Sequence, residues 1–355
     1  MLAILKREVK NYLKSPLFWI GMIIVILGVF QALSPYLGIH YLAEGEEIGE
    51  DDPQAIHEGE VYEGYVPSTD KQRRGIWEKK IQETLVSDFQ MEEDEAEAVI
   101  TEMKEMDVTQ ACAYLEKEYG YYGAIYTYED AAYHKGTREE LNSYIREKVE
   151  RKSFSYYFSR KFADFAGLFM GFFATVMLSV LYIQDTRKHT YELLHTKPVS
   201  AGAYVAGKIA GGFSACLIAL VILNLIFWIL CMVYTRSSGF EVSLLDFLAA
   251  TCLYILPNML MVVSIYSLIA LLFKSPLPAA PLLILYLVYS NMGSTNAEGA
   301  YGYYGRPLAI MVRFPGQFFD TAPPPMALLN QSFLVFASIV IFLISIQLWK
   351  RRRCI

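Results

Sequence analysis

Apolar runs of about 20 residues with almost no charge, the length that crosses a hydrocarbon layer about 30 Å thick, recur along this chain. They constrain the fold more than any other feature, because a segment that leaves water must satisfy its backbone hydrogen bonds internally. The runs fall at 16–38, 162–183, 203–234, 246–273, 277–291 and 326–349. They predict an all-α polytopic membrane protein with six spanning helices. Pro257-Asn258 near the middle of the fourth run predicts a kink. The fifth run is short and opens on Pro276-Leu277-Pro278, so the segment 292–325 after it reads as a re-entrant or interfacial piece.

Charge is divided as sharply as hydropathy. The polar stretch 39–161 carries 15 Lys+Arg against 29 Asp+Glu, net −14, and the remainder is net +8. Such an acidic domain excludes nucleic acid as a partner, since phosphates demand basic surface. The helical flanks 1–15 and 184–202 and the tail 350–355 are basic. With both termini in the cytoplasm, thirteen Lys/Arg of the short loops lie inside and only Arg236, Arg306 and Arg313 lie outside. That bias sets the orientation and leaves the long domain 39–161 outside the cytoplasmic membrane. Pro16 to Gly38 is too long for the apolar core of a signal peptide, so it is expected to be a retained span. Cys112 stands alone in the polar domain, which leaves that domain no internal disulfide.

The outer domain is expected to be mostly helical. Ile76, Trp77, Ile81, Leu85 and Phe89 recur at helical spacing, as do Val99, Met103 and Met106. Thr137-Arg-Glu-Glu140 is a capping box opening a helix through Leu141, Ile145 and Val149. No breaker follows, so that helix is expected to run on into the second span as a stalk. Tyr119, Tyr121, Tyr122, Tyr126, Tyr128 and Tyr133 are read first as core and interface packing, with a ligand surface as the alternative.

Between the second and third spans lies a short cytoplasmic helix ended by Pro198, with Ser200 placed to cap the next helix. A stiff elbow held by two spans can pass force between a soluble motor and the bilayer, and Leu193-Leu194 suits docking into a partner groove. Asp185, Thr190, Glu192, Leu194, Pro198, Val199, Ser200, Gly207 and Lys208 follow one another in an order that resembles the type-two permeases of ATP-binding-cassette (ABC) exporters, including the sodium- and drug-extrusion branch. His189 stands where that family commonly has Gly.

The resemblance implies that 185–198 is the coupling helix, with Asp185, Thr190, Glu192, Leu193, Leu194 and Pro198 meeting the ATPase. It also implies an amphipathic connecting helix over 1–15, with Leu2, Leu5, Val9, Tyr12 and Leu13 on one face and Lys6, Arg7, Lys10, Asn11 and Lys14 on the other. Short helical pieces between the last two spans would suit 292–325. The implied partners are two cytosolic ABC ATPase subunits, a second permease copy or a related permease, and membrane lipids. ATP and magnesium would bind in the ATPase, with no cofactor in this chain. Phe169, Phe172 and Phe173 are candidates for an amphiphile-binding cavity.

Other signals are set aside. Gly202-Ala-Tyr-Val-Ala-Gly207-Lys208-Ile209 nearly matches a phosphate loop, but Ile209 lacks the hydroxyl that would hold magnesium. His189, Glu192 and His195 do not share one helix face, which argues against a metal site. Lys208, Asp164 and Asp246 are read as residues at span ends, with Lys208 snorkelling to the interface. Two further readings stay open: a sensor or immunity complex that binds an antimicrobial peptide through the outer domain, and a stand-alone ion-coupled carrier. The scarcity of ionisable residues within the spans disfavours the carrier.

Overall fold

The computed structural model describes residues 1–46, 59–183, 199–295, 301–302 and 305–353. The chain is mostly helical and divides into two compact units, one of Met1–His40 with Val149–Ile355 and one of Tyr41–Lys148.

The first unit opens with α1, Leu2–Lys14, which ends where Ser15 turns extended; Pro16 then starts α2, Pro16–Leu37. Proline suits this first helical position, where no N–H is needed. Trp19 Nε1 donates back to the Leu13 carbonyl at 2.8 Å and braces the joint. α2 is apolar all round. It buries Phe18, Met22, Val25, Val29 and Leu33 and leaves Ile20, Ile23, Ile24 and Leu27 exposed, the pattern of a helix with lipid on one side.

The buried side of α2 lies on α8, Phe154–Met177. Gly21 and Gly28 make room for Phe173 and Phe169, whose rings would stand within 3 Å of any added Cβ. The expected stalk does not form. A capping box opens α7, Arg138–Arg151, but the helix stops there, and Ser153 starts α8 by accepting from Tyr156 N–H at 3.2 Å. The break falls at a residue whose hydroxyl caps a new helix better than it continues an old one.

α9, Ala201–Tyr234, is 34 residues long, and Ser200 caps it by accepting from Ala203 N–H at 3.2 Å, as the sequence predicts. The fourth run forms α10, Leu244–Ala250, a π-turn at Thr251–Ile255 and α11, Leu256–Phe273. Pro257 explains the π-turn: its ring and missing N–H disrupt the preceding turn, which widens to accommodate them. The Asn258 amide then donates to the Tyr254 carbonyl at 2.6 Å. α12, Ala279–Asn291, and α13, Ala327–Arg353, complete the unit, with α13 packed along α11.

Among the described residues, four helices are long and apolar enough to cross a membrane: Pro16–Leu37, Ala201–Tyr234, Leu244–Phe273 and Ala327–Arg351. The other two expected spans differ in kind. α8 carries Arg160, Lys161 and Asp164, and α12 has 13 residues, about 20 Å of helix. In 292–325 the described residues form two-residue strands, Ser294–Thr295 and Tyr301–Gly302, and one 3₁₀ turn, Phe318–Asp320, rather than a series of helical pieces. Charged residues of α8 hold this segment. Arg313 Nε meets Asp164 at 2.6 Å, Phe314 N–H donates to the same carboxylate at 2.9 Å, and Lys161 Nζ donates to the Gly316 carbonyl at 2.8 Å.

In the second unit, α3 (Asp70–Ser87), α4 (Glu93–Met103), α5 (Val108–Tyr119), α6 (Ala124–Asp130) and α7 accompany a short antiparallel pair, β1 (Tyr65–Pro67) and β2 (Tyr133–Lys135), in which Val66 faces His134. Trp77, Ile81, Leu85, Val99, Met103 and Leu115 form the core, and Trp77 Nε1 donates to the Ala124 carbonyl at 2.8 Å. Phe89 and Met106 lie beyond the helices that were expected to hold them. The expected capping box forms, with Glu140 N–H donating to Thr137 Oγ1 at 3.3 Å and Thr137 N–H to Glu140 at 2.8 Å. The tyrosines divide. Tyr119, Tyr121 and Tyr128 pack on the core, whereas Tyr122 and Tyr126 are 71% and 67% exposed.

Candidate functional site

Asp185, Thr190, Glu192, Leu193, Leu194 and Pro198 lie outside the described residues, as do His189 and His195. The structure describes the two supports from which that segment leaves and to which it returns. On the leaving side, Tyr182 adopts a left-handed backbone, φ 67°, and its hydroxyl bonds with Ser267 Oγ of α11 at 2.7 Å. A bulky residue is rare in that conformation, so the surrounding packing must hold it there. On the returning side, Ser200 caps α9, and one turn on Tyr204 stacks on Trp349 of α13 with ring centroids 4.1 Å apart. Both supports are therefore tied to other helices.

Just beyond this frame the structure corrects the reading of Lys208. It does not snorkel. It is 3% exposed, and its ammonium donates to Glu8 of α1 at 2.8 Å, beneath the rings of Tyr182 and Tyr204. Glu8, 7% exposed, belongs to neither of the two faces assigned to 1–15. The face of α1 turned to the protein centres on Ile4, Glu8 and Tyr12, while Leu2 is exposed. The missed signal was the single acidic residue within a basic helix, four places from Ile4 and from Tyr12. Gly207, the second glycine of the apparent phosphate loop, has a packing role: a Cβ there would stand 2.8 Å from the Ile4 side chain. Asp164 is likewise buried and ion-paired rather than at an interface, while Asp246 accepts from the Ser153 hydroxyl at 2.7 Å.

Phe169, Phe172 and Phe173 come together on one groove between α2 and α8, about 200 Å³, lined also by Leu17, Ile20, Gly21, Ile24, Val25, Val176 and Met177. They differ in availability. Phe173 is buried edge-on against Phe18, Phe169 is half-buried over Gly28, and Phe172 is 43% exposed. The groove is apolar throughout and suits the hydrocarbon part of an amphiphile better than an ion.

Among known families, the sequence matches the model described as ABC-2 family transporter protein over residues 2–311. Neither a curated protein nor a solved structure matches the chain.

Proposed function

The chain belongs to the ABC-2 family of transporter proteins, and from that premise we propose that it is the permease subunit of an ABC exporter driven by separate ATPase subunits. The observation that carries this reading is the braced frame around 184–198: Tyr182 bonded to Ser267 on one side, Ser200 capping α9 and Tyr204 stacked on Trp349 on the other. A segment held at both ends can convert thrust from a cytosolic motor into motion of helices. In this proposal Asp185, Thr190, Glu192, Leu193, Leu194 and Pro198 meet the ATPase. ATP and magnesium reside in two copies of that subunit, and a second permease, identical or related, completes the complex.

The membrane-embedded part crosses the cytoplasmic membrane six times in this proposal, α8 and α12 included, with both termini in the cytoplasm and the unit Tyr41–Lys148 outside. α8 can cross despite Arg160, Lys161 and Asp164. All three lie in its first half and bond to the segment 313–321, so none is left unpaired in hydrocarbon. Cargo is amphiphilic, with its apolar part against Phe172 and the α2–α8 groove.

The test uses Glu192→Ala and Leu194→Asp in the complex with its ATPase. ATP-coupled transport is expected to fall about tenfold, equivalent to about 1.4 kcal/mol, while the protein remains in the membrane. Wild-type transport in both variants would overturn the coupling assignment.

A second reading is capture of a cationic amphiphilic peptide by the unit Tyr41–Lys148. Phe89, Tyr122, Ile125 and Tyr126 are exposed there, and the acidic run 92–97 follows Phe89 closely in the chain. Peptide binding by the full-length protein, with no ATP-dependent flux in vesicles, would favour it. The ion-coupled carrier gains nothing from the buried charges Lys208 and Asp164, since each holds an ion-pair partner. Transport by the purified single chain under an ion gradient would establish it.

A further inference from the structure

We propose that Glu8 and Lys208 are a positioning pair that makes α1 and α9 move as one body, carrying motion of 184–198 to α2 and so to the α2–α8 groove. The inference rests on the export reading above and adds the path inside the membrane part.

Contact between α1 and α9 is closer than side chains allow. A Cβ on Gly211 would lie 2.4 Å from Glu8 Cβ, and one on Gly207 2.8 Å from Ile4 Cβ. Ile4 and Glu8, four residues apart on α1, thus rest on Gly207 and Gly211, four residues apart on α9. Lys208 stands beside this ladder and closes it with the 2.8 Å bond to Glu8. A buried ion pair adds little net stability over an apolar pair of similar volume, because desolvation offsets the attraction. It does fix register. Sliding or parting the helices would strand one charge in a site where each partner is under 10% exposed.

The path on either side is short. Lys208 lies ten residues beyond Pro198, within the second turn of α9. At the far end α1 passes into α2 through Ser15 alone, with Trp19 Nε1 bonded to the Leu13 carbonyl at 2.8 Å. Leu17, Ile20, Gly21, Ile24 and Val25 of α2 form one wall of the groove and α8 the other. Movement of the α9 base therefore reaches that wall through the ion pair.

Two spin-label pairs test this in the complex of the full chain with its ATPase, with the native cysteines replaced. Labels at Lys6→Cys and Val233→Cys report whether α1 stays on α9. Labels at Ile20→Cys and Val176→Cys report the groove with and without ATP and vanadate. Glu8→Gln and Lys208→Gln are each expected to broaden the first distance distribution and to reduce the ATP-dependent shift of the second at least fivefold. The exchanged pair, Glu8→Lys with Lys208→Glu, is expected to restore a narrow first distribution and at least half of the shift, which a role in folding alone would not predict. A first distribution that stays narrow in both single variants overturns the pair as a clamp. A groove shift that survives in them, or an assembled exchange variant no better than the singles, overturns it as a transmitter. No ATP-dependent shift in the wild-type complex would overturn the export reading, and this step with it.

Discussion

Replacing Gly211 by alanine puts the contact between α1 and α9 under direct strain. In an open helix the change is favourable by about 1 kcal/mol, because alanine loses less backbone freedom. Here the new Cβ would stand 2.4 Å from Glu8 Cβ and 3.0 Å from its Cγ, against a comfortable carbon–carbon separation of about 3.5–4.0 Å. Glu8 cannot swing away freely, since its carboxylate is bonded to Lys208 at 2.8 Å, so α1 itself must move by about 1 Å. Overpacking of this kind costs about 1–3 kcal/mol, and parting the buried ion pair raises the loss towards 3–5 kcal/mol. The net expectation is a destabilisation of about 2–3 kcal/mol. Gly167→Ala is the control: it lies in α8, where an added Cβ meets nothing within 4 Å, and should be neutral or stabilising. Thermal unfolding of the detergent-solubilised protein, followed by loss of the monodisperse chromatographic peak, compares the two. If Gly211→Ala melts at or above the wild-type temperature, the close approach of α1 to α9 is wrong and the argument built on it falls.

Asp164→Ala should take the carboxylate from the part-buried Arg313 guanidinium, which keeps Asn291, and leave the Phe314 N–H without its acceptor, at a cost of up to about 3–5 kcal/mol, and trypsin should then cut at Arg306 and Arg313 faster than in wild type. Thr137→Ala removes the cap of α7 and should cost about 1 kcal/mol, seen as faster hydrogen exchange in the first turn of that helix. The same cap predicts a pH dependence. Thr137 N–H, bonded to the Glu140 carboxylate, holds that carboxyl below the usual glutamate value. Its contribution is therefore fully present above the ordinary glutamate pKa and is lost as pH falls through the lowered folded value. First-turn protection in the full-length protein should weaken below about pH 4, and Glu140→Gln should remove that dependence.

Hydropathy located the helices well because burial in hydrocarbon is a property of whole runs. α2 coincides with the first run to within a residue, and α12 lies within the fifth. Local signals that act through the backbone were also legible. Ser200 caps α9, the Thr137 capping box forms, and Pro257 distorts the fourth run. What escaped was pairing between distant residues. Lys208 next to an apolar run has the same sequence appearance whether it reaches water or an acid, and only the fold brings Glu8 to it. Asp164 and Arg313 hid for the same reason, since 149 positions separate them in sequence. No continuous stalk forms because Ser153 caps a new helix, a break that no Pro or Gly announces in the sequence. Phe169, Phe172 and Phe173 share one apolar run, yet the run alone could not say that Phe172 is open while Phe173 is packed against Phe18.

A cytosolic motor can push only on a segment that faces the cytosol, so the side on which residue 194 lies tests the account most directly. Leu194→Cys, in a background without native cysteines, is exposed to a membrane-impermeant maleimide in sealed vesicles of both orientations, with Tyr122→Cys as the marker of the opposite side. The account predicts labelling at 194 in inside-out vesicles alone and at 122 in right-side-out vesicles alone. Labelling of 194 from the exterior would contradict it.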